Sequence, residues 1–370
     1  MRKIDIIKKI DKFVGRFFCL FMSFTSKKTT TKLPGKSILL IRPGGIGDAV
    51  LLIPTILALK NKYPETQITV LAEKRNGAIF KLCPAVSEVL YYDNPKELLT
   101  AIRGQYDVVI DTEQWHRLSA VVARLTLAPI LIGYAANERQ RLFSHPIPYS
   151  HDEYETESFY HLLTPLHILP PELVSLPFLH IPQELELRAC ALLGHVAETS
   201  FVVIFPGASI PEKRWGVDRF RKVVALLAEM EIPVVMVGGK EDAEDGGAIV
   251  TGLKGLNLAG KTTIVETAAI IARGSVLVSG DSGMLHIGVG LGKPTVSLFG
   301  PSNIQKWAPK GSDHIVIHKK QQCSPCSRFG YTQKCKINAK CVSDITVDEV
   351  FAAVEKLLNR QIKTEGNQLN

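Results

Sequence analysis

Ser37-Ile38-Leu39-Leu40-Ile41-Arg42-Pro43-Gly44-Gly45-Ile46-Gly47-Asp48 is the stretch that decides the fold. Its short apolar run halts at Pro43-Gly44-Gly45, the pattern of a strand buried on both faces that ends in a tight turn. From Asp48 to Asn61 the apolar residues recur at helical spacing. The unit is therefore strand, glycine loop, helix.

The same unit repeats outward along the chain. Gln67–Ala72, Glu88–Tyr92, Tyr106–Asp111 and Pro129–Gly133 read as further strands, with helical stretches between most of them. Residues 145–182, rich in His and Pro, break the rhythm and read as an inter-domain connection with a helix near 155–168. The alternation restarts with strands at Phe201–Phe205, Pro233–Val237, Ser275–Ser279 and Pro294–Phe299. Helices are expected at about 183–195, 217–230, 241–251, 263–273 and 283–291. Alternating strands and helices predict parallel sheets wrapped by helices. The fold class is α/β, two doubly wound lobes with a central cleft. The expected domains are 37–182 and 183–345, preceded by a segment 1–36 and followed by a helix and tail, 346–370, long enough to cross back over the first domain.

At 370 residues and 46% hydrophobic, the chain can bury two cores. No run of eighteen apolar residues suggests a membrane span. The formal charge of +8 is carried by one end: residues 1–36 hold ten Lys or Arg against Asp5 and Asp11, leaving 34 basic and 34 acidic residues beyond. A neutral body argues against nucleic acid as a partner. The end itself mixes Ile6, Ile7, Ile10 and Phe13 with lysines and continues into Phe17-Phe18-Cys19-Leu20-Phe21-Met22-Ser23-Phe24. No small-residue cleavage site follows, so it reads as a basic amphipathic segment drawn to anionic lipid and not as an export signal. A basic tail packing its aromatics on the body is the alternative.

Three loops hold residues able to do chemistry, each after a strand, where open α/β sheets bind ligands. In the first, Asp48 is either a helix N-cap or a general base for a hydroxyl. In the second, Phe205-Pro206-Gly207-Ala208-Ser209-Ile210-Pro211-Glu212-Lys213-Arg214-Trp215, the cations Lys213 and Arg214 either balance a leaving diphosphate or merely face solvent, with Trp215 a core anchor. In the third, Ser279-Gly280-Asp281-Ser282-Gly283-Met284-Leu285-His286, the N–H groups of Ser282 and Gly283 can meet a phosphate at a helix start. Asp281 suits sugar hydroxyls, or else Asp281 or Ser282 simply caps the helix, with His286 on its surface.

Together, IRPGGIGDAVLLIP, FPGASIPEKRWG and SGDSGMLHIGVGLGKPTVSLFGPSNIQKWAP make residues 37–345 resemble glycosyltransferase family 9, the ADP-heptose:lipopolysaccharide heptosyltransferases. The resemblance implies the GT-B arrangement of two Rossmann-like domains, acceptor on the first and donor on the second. It implies inverting transfer of heptose from ADP-heptose to a lipopolysaccharide core, with no cofactor and no metal. The catalytic residues it implies are Asp48 and Lys213. The donor-binding set is Gly44, Gly45, Gly47, Ser209, Lys213, Glu241, Asp281, Ser282, Gly283 and His286. The expected partners are a nucleotide sugar, a lipid-linked saccharide acceptor and the membrane surface. The expected place is cytoplasmic, on the inner face of the bacterial inner membrane. Another nucleotide-linked sugar or acceptor, or a silent sugar-nucleotide-binding protein, keeps the same fold.

Outside that pattern, Cys19, Cys83 and Cys190 read as buried thiols. Cys323, Cys326, Cys335 and Cys341 form C-x2-C-x8-C-x5-C within 323–341. This segment is either a structural zinc site or a set of free or redox-active thiols.

Overall fold

A computed structural model of the chain describes residues 11–22, 35–328 and 331–368. The amphipathic reading of 1–36 therefore falls partly outside the described residues. The chain divides into two compact units, Met1–Val174 and Ser175–Asn370, against an expected boundary at 182.

The first unit is built on β1 (Ser37–Arg42), β2 (Gln67–Ala72), β3 (Glu88–Tyr91), β4 (Val108–Asp111), β5 (Ile130–Tyr134) and β6 (His145–Ile147). All are parallel, in the order β3-β2-β1-β4-β5-β6. Five of the six residues of β1 are buried, which is why it reads as a run and not as an alternation. Leu39, Ile41, Leu71, Val109 and Leu131 meet Ala120, Ala123 and Phe143 in the core of this unit.

The second unit repeats the plan with β7 (Val202–Phe205), β8 (Val234–Met236), β9 (Gly255–Asn257), β10 (Val276–Gly280), β11 (Thr295–Phe299) and β12 (His314–His318). Its parallel order, β12-β11-β10-β7-β8-β9, is the same doubly wound sequence. The helix Val217–Glu229 buries Phe220, Val223, Val224 and Leu227, one stripe at helical spacing. In both sheets the order reverses between the first and fourth strands, which puts the loops after β1 and β4, and after β7 and β10, side by side.

Three strands of the two six-stranded sheets lie outside the sequence reading: β6, β9 and β12. All are sheet edges, and β6 carries Pro146, which an edge tolerates because its N–H side need not be paired. The last helix, Val347–Gln368, also differs from expectation. Val350, Ala353, Val354, Leu357 and Leu358 bury themselves in the core of the second unit, where the helix packs against β10, β11, β12 and the helix Val217–Glu229. Thr346 and Glu349 cap its start reciprocally, at 2.9 and 3.2 Å. Among the described residues no helix is long and apolar enough to cross a membrane.

Candidate functional site

In the first unit the chain leaves β1 through Gly44, at φ +117°, and enters the helix Ile46–Lys62 with Gly45 as N-cap. Asp48 therefore occupies the third helical position, and the expectation of an N-cap role for it fails. Its Oδ1 instead accepts a hydrogen bond from Gln114 Nε2 at 3.2 Å and lies 4.0 Å from Arg42 Nη1. A Cβ on residue 45 would come within 2.8 Å of Asp48 Oδ2, so the glycine there makes room for the carboxylate.

Gln114 follows β4, the neighbour of β1, and its amide also donates to Glu155 Oε1 at 2.5 Å. Glu155 has no exposed surface and takes a second bond from the Tyr149 hydroxyl at 3.0 Å. Arg42 is buried and donates to the Thr112 carbonyl at 2.9 Å and to Glu113 at 3.1 Å. Burial acts to lower the Arg42 pKa, but Asp48, Glu113, Glu155 and Asp111 more than offset it and raise it. For Glu113 burial acts upward, and Arg42, His116, Arg139 and the Trp115 N–H pull its carboxyl below the ordinary range. Gln114, Glu113, Glu155 and Arg42 carry no role in the sequence reading. The signal was there in part: Asp111-Thr112-Glu113-Gln114 is a polar cluster directly after a strand.

In the second unit the loops after β7 and β10 meet. Lys213 Nζ lies 2.5 Å from Asp281 Oδ2, with the two side chains 16% and 8% exposed. Burial alone would raise the Asp281 pKa. The Lys213 charge and hydrogen bond, the Ser302 hydroxyl and His286 hold it below the ordinary aspartate value. Ser282 caps the helix Gly283–Gly290: its hydroxyl accepts from Leu285 N–H at 3.5 Å and shares a 2.8 Å bond with Ser279. The first amides of that helix have no intrahelical acceptor and suit an anion. His286 is buried, not on the surface, with its ring 6.3 Å from that of Trp307.

Arg214 pairs with Asp245 at 3.1 Å and Asp242 at 3.5 Å, tying the loops after β7 and β8 together. Trp215 is the expected core anchor, its indole donating to the Ile345 carbonyl at 3.0 Å. Asp242 is buried and accepts the Gly239 N–H at 3.0 Å. Burial pushes its carboxyl up. Glu241 and Ser209 are exposed. Lys213, Asp281, Ser282, Gly283 and His286 are thus gathered in one place, with Glu241 and Ser209 on the loops of the same unit. Gly44, Gly45 and Gly47 belong to the first unit, where they shape the seat of Asp48.

The family model for glycosyltransferase family 9 (heptosyltransferase) matches residues 96–337. The chain belongs to glycosyltransferase family 9. The match takes in Gln114, Lys213 and Asp281–His286 and begins after Asp48. Lipopolysaccharide heptosyltransferase 3 of Escherichia coli is 28% identical over 336 residues, covering 84% of this chain and 96% of that relative. The family 9 glycosyl transferase from Veillonella parvula DSM 2008 has a similar fold, with TM-score 0.78 and 24% identity over 90% of this chain and all of that one. The ADP-heptose heptosyltransferase II of E. coli superposes with TM-score 0.74 and 23% identity, over 88% of this chain and 99% of its own. The two doubly wound sheets are the GT-B architecture, and the chain is a glycosyltransferase.

Among the described residues no group of three or more His, Cys, Asp or Glu is placed to hold a metal ion. Cys341 is drawn into the core of the second unit while Cys323 is exposed. Burial, followed by the charges of Cys326, Cys335 and Cys323, pushes the Cys341 thiol up to about 11. Of the three thiols expected to be buried, Cys19 and Cys83 are, whereas Cys190 is half-buried.

Proposed function

We propose that this protein transfers heptose from ADP-heptose to a lipopolysaccharide core acceptor with inversion, without a metal ion. The observation that carries the reading is the Lys213–Asp281 pair beside the Ser282-capped helix start, a cation and a set of free amides together at one strand end. Family membership and relatives named as heptosyltransferases support the choice of sugar.

Asp48 takes the proton of the acceptor hydroxyl while that oxygen attacks the anomeric carbon from the face opposite ADP. The bond from that carbon to the β-phosphate oxygen breaks, and the electron pair leaves with the diphosphate. Lys213 and the amides of Ser282 and Gly283 receive the developing charge in place of a metal. Asp281 accepts hydrogen bonds from sugar hydroxyls. At the end of β8, Glu241 faces solvent and is the acid available to the ribose, since Asp242 already holds Gly239 and Arg214. A lipid-borne acceptor sets the reaction at the inner face of the bacterial inner membrane, where the +8 charge of residues 1–36 favours anionic lipid.

Incubation with ADP-heptose and a heptose-deficient core acceptor, in the presence of EDTA, tests this directly. Transfer with release of ADP is expected. Binding of ADP-heptose without turnover would make the protein a silent binder, and indifference to it would point to another donor.

A further inference from the structure

The segment before β1 turns two unlike faces outward and inward. Asp11–Gly15 is a π-helical turn that runs into the helix Arg16–Met22. Asp11 is only 4% exposed. Its Oδ1 accepts the N–H groups of Arg117 at 2.7 Å and Leu118 at 2.9 Å, the start of the helix Leu118–Leu125, which has no side-chain cap from its own N-cap residue. Asp11 thus caps, from about a hundred residues away, a helix of the first unit's core. Cys19 is fully buried in that core, and Arg16 pairs with Glu138 at 3.0 Å. A Cβ on Gly15 would come within 2.8 Å of Arg117 Cβ, so the backbone lies tight against the body.

The opposite face is aromatic and exposed: Phe13 at 71%, Phe17 at 64% and Phe21 at 64%. These recur at i, i+4 and i+8, one stripe of a helix. Phe17 and Phe21 stack with centroids 6.2 Å apart. Phe13, Phe17 and Leu20, with Arg16 and Arg117, frame an open hollow of about 250 Å³. A contiguous exposed apolar stripe marks a binding surface.

Charge names the occupant. Residues 1–36 hold ten basic residues against two acids, and one of those two, Asp11, is buried. Basic residues are attracted to an anionic leaflet, and a basic helix with Phe and Leu on its other side suits the headgroup boundary. A second copy would bring two +8 segments together.

We infer that the Phe13–Phe17–Phe21 stripe docks on an anionic lipid bilayer, and that the Asp11 clamp fixes the first unit rigidly to that surface. The inference rests on the lipid-acceptor reading above and adds the surface and its orientation.

The test uses the full chain and vesicles of phosphatidylcholine with or without phosphatidylglycerol. The chain should float with the phosphatidylglycerol vesicles and be released by salt. The triple change Phe13→Ser, Phe17→Ser and Phe21→Ser should weaken that binding at least about tenfold, with transfer to a delipidated core oligosaccharide unchanged. Asp11→Ala should still float yet lose transfer to vesicle-embedded acceptor relative to the soluble one. Flotation of the triple variant equal to the parent would overturn the docking face, and Asp11→Ala transfer equal on both acceptors would overturn the clamp. A vesicle-independent dimer abolished by the triple change would reassign the stripe to self-association. Failure on the delipidated acceptor would count against the heptosyl reading alone, leaving the vesicle arms to be judged separately.

Discussion

Lys213 and Asp281 are 68 residues apart in sequence and 2.5 Å apart in the structure. The pair forms because β7 and β10 are neighbours, so the loops that leave them meet. Lys213 thereby has two partners by design of the fold: a buried carboxylate at all times, and the diphosphate of the donor in the proposed reaction.

Lys213→Met removes the cation and leaves Asp281 buried without its ion-pair partner. Loss of one member of a buried pair costs about 3 kcal/mol, to be read as a lower urea midpoint at neutral pH. ADP affinity should fall about tenfold to a hundredfold, the range for a charge-assisted hydrogen bond.

The same pair sets an acid limit. The Asp281 pKa is depressed in the folded protein, so its contribution is fully present above the ordinary aspartate value near ~3.9 and is lost as pH falls through the lower folded value. Without Lys213, burial lifts the Asp281 pKa above the parent's. The stability gap between the parent and Lys213→Met should therefore be widest at neutral pH and narrow as pH falls from the variant's value through the parent's lowered one. Urea titrations of both proteins between neutral and strongly acid pH measure it. A gap that widens in acid would contradict the assignment.

Asp48→Ala should abolish transfer, a loss of about a hundredfold or more for a general base, while ADP binding by calorimetry stays near that of the parent. Turnover retained in this variant would remove Asp48 from its role.

Gly45→Ala offers a finer probe of the same carboxylate. The backbone there, φ −72° and ψ 155°, is open to alanine, so the clash with Asp48 Oδ2 at 2.8 Å is the only strong effect expected. The rate should fall about tenfold to a hundredfold through misplacement of the base, with a melting temperature close to the parent's.

Gln114→Ala leaves the buried Glu155 carboxylate with one donor fewer. A loss of stability of about 1–3 kcal/mol is expected, together with a lower kcat and an unchanged affinity for ADP. Thermal melts and initial rates on the same preparation report both. A change in ADP affinity without a change in kcat would argue against a role beside Asp48.

Interior strands were legible in the sequence because burial on both faces makes them unbroken apolar runs, as in Ser37–Arg42 and Val202–Phe205. The edge strands β6, β9 and β12 carry Pro146, Gly255 and His314, residues that do not announce a buried strand, and they emerged only in the fold. At the site, Asp48, Lys213 and Asp281 stood out because each follows a strand in a loop of distinctive composition. Gln114 and Glu155 did not, since an amide and a carboxylate 41 residues apart become one feature only when packed together.

What the sequence determined alone was the alternation of strands and helices, the location of the +8 charge in residues 1–36, and the glycine loops that hold Asp48 and start the Asp281 turn. The tertiary structure decided which loops are neighbours. Crossover connections place β4 beside β1 and β10 beside β7, and only this brings Gln114 to Asp48 and Lys213 to Asp281. Local pattern fixes what each segment becomes, because it depends on residues a few places apart. Partnership across a sheet depends on strand order, which no local pattern contains.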